Sequence, residues 1–374
     1  MKKLKIAQLI LPWIALPPKG YGGTERIVTW LTEGLVKKGH EVTLFASGDS
    51  TTSAKLSSVV DKALTLQTDV HSTISANLYP LCHTASCFAK AEEFDIIHSH
   101  AQYLALPFSN LVKTPTVHTF HRKLKGLPDE EFLVKYFKNE KFISISNNQR
   151  EFGLNFVATV YNGIPFDDFE FSDQRGDYLF WAGRAVDKKG PLEAIKAAKA
   201  TGIPLKMAGI PTESDFYKEK IKTEVDGELI TWMGEQDHQG MVNLYKNALL
   251  SLFPIKWREP YGLIPVESMA CGTPAVSFAC GGAAETVVDG KVGFLVDPED
   301  EDLEPKAHVK GLDLKIKKRG VDGLVEAVQE IAKLENSEMI KLRKNCRRHV
   351  EENFSVKKMV EDYERVYQTI LNKS

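Results

Sequence analysis

Two rhythms of apolar positions alternate along this chain. Short, nearly continuous apolar runs occur at 4–11, 41–46, 94–100, 115–121, 142–146 and 158–161, and again at 178–182, 205–208, 230–233, 249–253 and 293–296. Runs of this length suit strands buried on both faces, as in parallel sheets. Between them apolar residues recur at helical spacing: Ile27, Val28, Leu31, Leu35 and Val36 up to Gly39, then Leu192, Ile195 and Ala198 behind Pro191, and Met241, Leu244 and Tyr245. Pro at a first helical position and Gly after a last one are the usual punctuation. Strand, helix, strand repeated twice predicts an α/β chain of two doubly wound domains. The turn Asn162-Gly163-Ile164-Pro165 opens a polar, acidic stretch, so the expected division is 1–164, a linker at 165–177, a second domain at 178–353 and a last helix at 354–374. Residues 47–91 are polar and irregular and predict little.

Length supports that division, because 374 residues exceed what one hydrophobic core usually holds. A hydrophobic content of 43% with 26% charged residues is that of an ordinary globular protein, and a net charge of −2 argues against a nucleic-acid binder. Pro12 interrupts the first apolar run too early for a secretory signal or a membrane span. The five cysteines are odd in number and lack zinc-site spacing, which predicts free thiols and a cytoplasmic location. Residues 122–141 mix Lys and Arg with Phe132, Leu133, Val134, Tyr136 and Phe137. Such a helix could touch anionic lipid at the inner face of the membrane, but Asp129, Glu130, Glu131 and Glu140 dilute the charge and favour a solvated face.

Candidate chemistry concentrates at 253–285. Glu259 and Glu267 are separated by seven residues, with Pro260-Tyr261-Gly262-Leu263 between them as a turn into an apolar helical run. The N–H groups of Gly262, Leu263 and Ile264 would then be the unpaired donors of a helix N-terminus, suited to phosphate. Upstream, Gly183-Arg184 and Lys189-Gly190-Pro191 place two cations on a strand-to-helix loop. There they could stabilise charge on a departing diphosphate. Gly20, Gly22 and Gly23 form a glycine loop without Gly-x-Gly-x-x-Gly spacing, so a nicotinamide site is unsupported. His98, His100, His118 and His121 end two strands. A pair at i and i+2 raises the question of a metal, yet no third ligand stands at recognisable spacing, and none is expected. Plainer readings are a solvated Glu267, a flexible glycine loop, a capping arginine and structural histidines.

Set among Met269-Ala270-Cys271-Gly272-Thr273-Pro274, Gly281-Gly282 and Glu285, the two glutamates closely resemble the Glu-x7-Glu signature of the retaining family-4 glycosyltransferases. Gly183-Arg184-x4-Lys189-Gly190, the pair Gly22-Gly23, Pro115-x3-Thr119-x-His121 and Asn162-Gly163-Ile164 extend the resemblance over both halves. It implies the GT-B fold, two Rossmann-like domains facing across a cleft, with the last helix crossing back to the first. It also implies transfer of a sugar from a nucleotide diphosphate donor, UDP foremost, to a hydroxyl of a saccharide, lipid-linked or small-molecule acceptor, with retention and without a metal cofactor. By the same resemblance Glu267 would hold ribose, the Tyr261-Gly262-Leu263 backbone with Arg184 and Lys189 the diphosphate, and Glu259 the sugar. Gly22, Gly23 and His121 would approach the donor from the first domain. One departure is 297–320, acidic and then basic, which reads as an insertion. Epimerisation or hydrolysis of a nucleotide sugar, or binding without catalysis, are the alternatives.

Overall fold

A computed structural model describes residues 2–20, 22–67, 73–122, 131–132, 135–150, 153–210, 215–299 and 313–372. The chain forms two compact units, Met1–Ile164 with Val356–Ser374, and Pro165–Ser355. In the first, strands β1 (Lys5–Leu9), β2 (Glu41–Phe45), β3 (Lys55–Ser57), β4 (Ile96–Ser99), β5 (Thr116–Thr119), β6 (Lys141–Ser144) and β7 (Phe156–Thr159) make one sheet in the order β3-β2-β1-β4-β5-β6-β7. In the second, β8 (Leu179–Ala182), β9 (Leu205–Ala208), β10 (Ile230–Trp232), β11 (Leu250–Phe253), β12 (Ala275–Phe278) and β13 (Gly293–Val296) follow the order β10-β9-β8-β11-β12-β13. Every pairing between these strands is parallel. The architecture is α/β and two-domain Rossmann-like, as the alternation of runs predicts.

Strand order reverses between β1 and β4 in one sheet and between β8 and β11 in the other. Crevices beyond the carboxyl ends of strands at such a reversal are where open α/β sheets bind ligands. Both strands at each reversal are buried along nearly their whole length, so the apolar runs are explained by coverage on two faces. The strands end earlier than the runs suggest. His100 and His121 lie just past β4 and β5, in the turning chain and not in the ladder.

Other features escaped the periodicity. The helix Thr73–Phe88 carries Pro80 inside it and no charged residue, so neither composition nor a polar stripe marked it. Residues 165–177 are no loose linker: they belong to the second unit, where Phe169 is buried and lies edge-on to His238. Of the insertion, residues 300–312 lie outside those described, while Leu314 and Ile316 are buried and Arg319 pairs with Asp297 at 3.1 Å. Most of the basic run at 122–141 likewise lies outside, although Phe132 and Tyr136 are exposed with ring centroids 4.5 Å apart. Among the described residues no helix is long and apolar enough to cross a membrane.

The helix Val356–Leu371 completes the first unit. It packs on the helix Gly23–Lys37 at Gly34, where an added Cβ would stand 2.5 Å from Val360 Cγ2. Its Glu364 accepts from buried His40 Nε2 at 2.9 Å, and His40 Nδ1 accepts from the Leu4 N–H at 3.2 Å. In the second unit the fully buried Arg343 guanidinium donates to the carbonyls of Ser172, Lys246 and Ala248 and to Thr273 Oγ1, over 2.6–3.0 Å. All four acceptors are neutral, and burial pulls the guanidinium pKa downward.

The close approach at Gly34 yields a test. Gly→Ala inside a helix ordinarily stabilises by about 1 kcal/mol. Here the contact reverses the sign, and Gly34→Ala is expected to lower stability by about 1–3 kcal/mol through overpacking, read from denaturant midpoints. An unchanged or raised midpoint would show that the two helices do not press together at this point.

Candidate functional site

In the second unit two loops meet at the strand-order reversal. After β8 the chain runs through Gly183 and Arg184 into a single turn at Asp187–Lys189, and Gly190 caps the helix Pro191–Thr201. Gly190 has φ 69°, and a Cβ there would lie 1.9 Å from the Pro254 carbonyl oxygen, so only glycine lets this loop press on the one after β11. The Lys256 N–H donates to the Lys188 carbonyl at 2.9 Å across the same seam.

That approach delivers Lys189 Nζ to within 2.5 Å of Glu259 Oε2, with each side chain under a fifth exposed (17% and 19%). The Trp257 ring underlies both lysines, its centroid 4.9 Å from Lys188 Nζ and 5.4 Å from Lys189 Nζ. Desolvation, then the neighbouring Arg184 and Lys189 charges, lower the Lys188 pKa. Arg184 is itself exposed. Arg184, Lys188 and Lys189 thus share one loop, with a single carboxylate paired to Lys189, and an anion arriving among the cations relieves their repulsion. Lys188 and Trp257 were missed in the sequence because only the glycine-flanked pair Arg184 and Lys189 stood at a recognisable spacing.

Past Glu259 the chain turns into the helix Leu263–Ala270. Pro265 has no N–H, and the N–H groups of Gly262, Leu263 and Ile264 make no hydrogen bond among the described residues. Three donors are left at the helix's positive end. Tyr261 contributes backbone only, since its side chain is buried with its ring edge-on to Phe354. Glu267 is buried at 4% exposure, against the plainer reading of a solvated carboxylate, and Tyr245 Oη donates to its Oε2 at 2.9 Å. The helical stripe marked Tyr245 as core, which hid its hydroxyl. Gly281 and Gly282 lie flat against this loop: a Cβ on either would come within 2.4 Å of the carbonyl oxygen of Glu259 or Tyr261.

In the first unit, Gly22 (φ 149°) precedes the helix Gly23–Lys37, and a Cβ there would meet Pro18 Cβ at 2.8 Å. Beyond β4 and β5, His100 Nδ1 lies 2.9 Å from His121 Nε2, and His100 Nε2 lies 3.0 Å from Gln8 Oε1. His98 bonds Tyr367 Oη through Nδ1 (2.6 Å) and Thr119 Oγ1 through Nε2 (2.8 Å). All four nitrogens of the His98/His100 pair are therefore engaged with side chains. Gln149 Nε2 donates to the carbonyls of Phe120 (2.7 Å) and Arg122 (3.1 Å), gripping the backbone on both sides of His121. Burial holds His98 and His100 well below the ordinary imidazole range, and desolvation pushes His121 down to about 4. At neutral pH these rings are uncharged.

Two family models match the chain. Residues 21–167 match Glycosyltransferase Family 4 and residues 166–309 match Glycosyl transferases group 1. The chain belongs to the family-4 glycosyltransferases. Among relatives of the chain is the D-inositol 3-phosphate glycosyltransferase of Mycolicibacterium smegmatis, 32% identical over 154 residues, 40% of this chain and 33% of that protein. The chain spans about a third to just under two thirds of the length of the curated relatives it matches. Among solved structures, the sucrose-phosphate synthase of Thermosynechococcus elongatus superposes with a TM-score of 0.77 at 19% identity, covering 100% of both chains. HepE of Anabaena, solved in complex with UDP and glucose, superposes at 0.70 with 17% identity over 98% of this chain and 100% of its own.

Two outcomes follow from this arrangement. Burial lowers the pKa of His83, His98, His100, His118 and His121. The unfolded chain therefore binds more protons once the pH drops below about 6.5. Stability should be full above that pH and fall below it, by up to about 1.4 kcal/mol per pH unit for each ring. Denaturant midpoints that stay level from pH 7.5 to 5 would contradict this. Gly281→Ala, at φ 61° and against the Glu259 backbone, is expected to cost about 1–2 kcal/mol and to displace Glu259, so turnover should fall with stability. Wild-type turnover in that variant would separate the glycine from the site.

Proposed function

We propose that the chain transfers a sugar from a nucleotide diphosphate donor to a hydroxyl acceptor, with the anomeric configuration retained. The observation that carries this is the Lys189–Glu259 contact at 2.5 Å, which ties a loop of three cations to the loop that opens on three free N–H groups. A diphosphate matches the cations and the N–H donors together, and a carboxylate beside them suits sugar hydroxyls.

In this reading Arg184, Lys188, Lys189 and the N–H groups of Gly262, Leu263 and Ile264 hold the diphosphate. Glu267, oriented by Tyr245, accepts hydrogen bonds from the ribose hydroxyls. Glu259 accepts from the sugar, and the contact with Lys189 fixes its direction. Gly22 and Gly23 leave backbone open to the donor, and His121 hydrogen-bonds the transferred sugar. As the bond from the anomeric carbon to the phosphate oxygen breaks, negative charge grows on the diphosphate, where preorganised cations stabilise it. The acceptor oxygen bonds the anomeric carbon on the same face, and its proton passes to the departing phosphate oxygen. The protein's cations supply the charge stabilisation, so no metal is invoked. UDP is the foremost nucleotide, supported by the UDP in the HepE complex. The acceptor is a saccharide, lipid-linked or small-molecule hydroxyl.

Incubation with nucleotide sugars and an acceptor extract should yield a new glycoconjugate. An epimerised or hydrolysed nucleotide sugar, or binding with no product, would overturn the reading. Arg184→Ala is expected to lower turnover about a hundredfold, the usual worth of one charge-stabilising donor. Near-normal turnover would remove Arg184 from the leaving-group role.

A further inference from the structure

Gln8, next to the last residue of β1 and paired in register with His98 of β4, is fully buried and spends its amide on two chains of hydrogen bonds. Its carbonyl oxygen, 3.0 Å from His100 Nε2, can only accept. The hydrogen of His100 is therefore on Nε2 and its Nδ1 is bare. Across 2.9 Å the partner must donate, which puts the hydrogen of His121 on Nε2. On the other side the Gln8 amide nitrogen donates to Tyr367 Oη at 3.2 Å. The Tyr367 hydroxyl then gives its proton to His98 Nδ1 at 2.6 Å, and His98 Nε2 donates to Thr119 Oγ1 at 2.8 Å. Every member is satisfied by one direction of donation, and turning over the Gln8 amide would reverse each link.

We propose that His121 presents an unprotonated Nδ1 to its ligand, and that Gln8, acting through His100, is the positioning residue that fixes this tautomer. Among the described residues Nδ1 of His121 has no partner. The proposal rests on the reading that His121 meets the transferred sugar, and it narrows the sugar's chemistry. A bare imidazole nitrogen accepts a hydrogen bond, so the group facing it is one that donates, a hydroxyl or an acetamido N–H. A carboxylate or phosphate oxygen has no hydrogen to offer and meets lone pair with lone pair. The donor sugar therefore turns a hydrogen-bond donor, and not its carboxylate where it has one, toward His121.

Long-range proton–nitrogen correlation spectra of the full chain labelled with 15N-histidine test this directly. His121 is assigned by the signal missing in His121→Asn. At pH 7.5 the wild type should show His121 neutral with its hydrogen on Nε2, and a hydrogen on Nδ1 overturns the proposal. Gln8→Leu removes the acceptor and should leave His121 as a mixture of tautomers, with kcat lowered about tenfold, the worth of about one hydrogen bond, and KM for the donor changed much less. A mixture with undiminished kcat, or an unmixed His121, overturns the role of Gln8. If Gln8→Leu does not fold, the wild-type spectrum still decides the tautomer. Because that spectrum needs no turnover, its result stands apart from whether glycosyl transfer is observed.

Discussion

The second unit depends most on a contact between two pieces of bare backbone. Gly281 and Gly282 follow β12 and lie against residues 258–261, close enough that any side chain would collide with a carbonyl oxygen. The Gly282 N–H also donates to the Glu259 carbonyl at 2.7 Å. This fixes the height of the loop, and with it the direction of Glu259 and the start of the helix Leu263–Ala270. A few tenths of an ångström added here would separate Glu259 from Lys189. The glycines therefore act on the site through distance, without offering it any functional group.

A second constraint concerns how charge and polarity are buried. Arg343 is enclosed by neutral carbonyls and one hydroxyl, so its positive charge is solvated by dipoles that the chain already has in place. The first unit solves a similar problem with neutral groups alone, where Gln8, His98, His100, Thr119 and Tyr367 consume one another's donors and acceptors. In both cases an unmatched partner would leave a polar group dry and unpaired, at a cost of about 1–3 kcal/mol. Such interiors tolerate little variation, because each member's geometry is set by its neighbours.

How far the sequence could be read follows from these same facts. Parallel strands covered on both faces advertise themselves as apolar runs, and β9 and β13 were legible to the residue. Arg184, Lys189, Glu259 and Glu267 were legible because glycine and proline hold fixed positions around them. The helix Thr73–Phe88 was not, since it lacks the charged stripe that exposes a period. Trp257 and Lys188 depend on a stacking contact between loops about seventy residues apart, and nothing local signals it. The hydrogen-bonded route from Tyr367 to His121 joins residues from four separated segments, so only the folded arrangement reveals that Gln8 is more than one polar residue in a strand.

The division of the chain has a consequence for its birth. Residues 165–355 form a unit that is contiguous in sequence, whereas the unit before it stays incomplete until 356–371 have been made. Tyr367 for His98, Glu364 for His40 and Val360 against Gly34 all arrive only after the whole second unit has been made. Synthesis from the amino terminus usually lets the earliest domain close first. Here the middle can mature while the beginning still waits for the helix Val356–Leu371, with the polar interior around Gln8 open to water until that helix has been made.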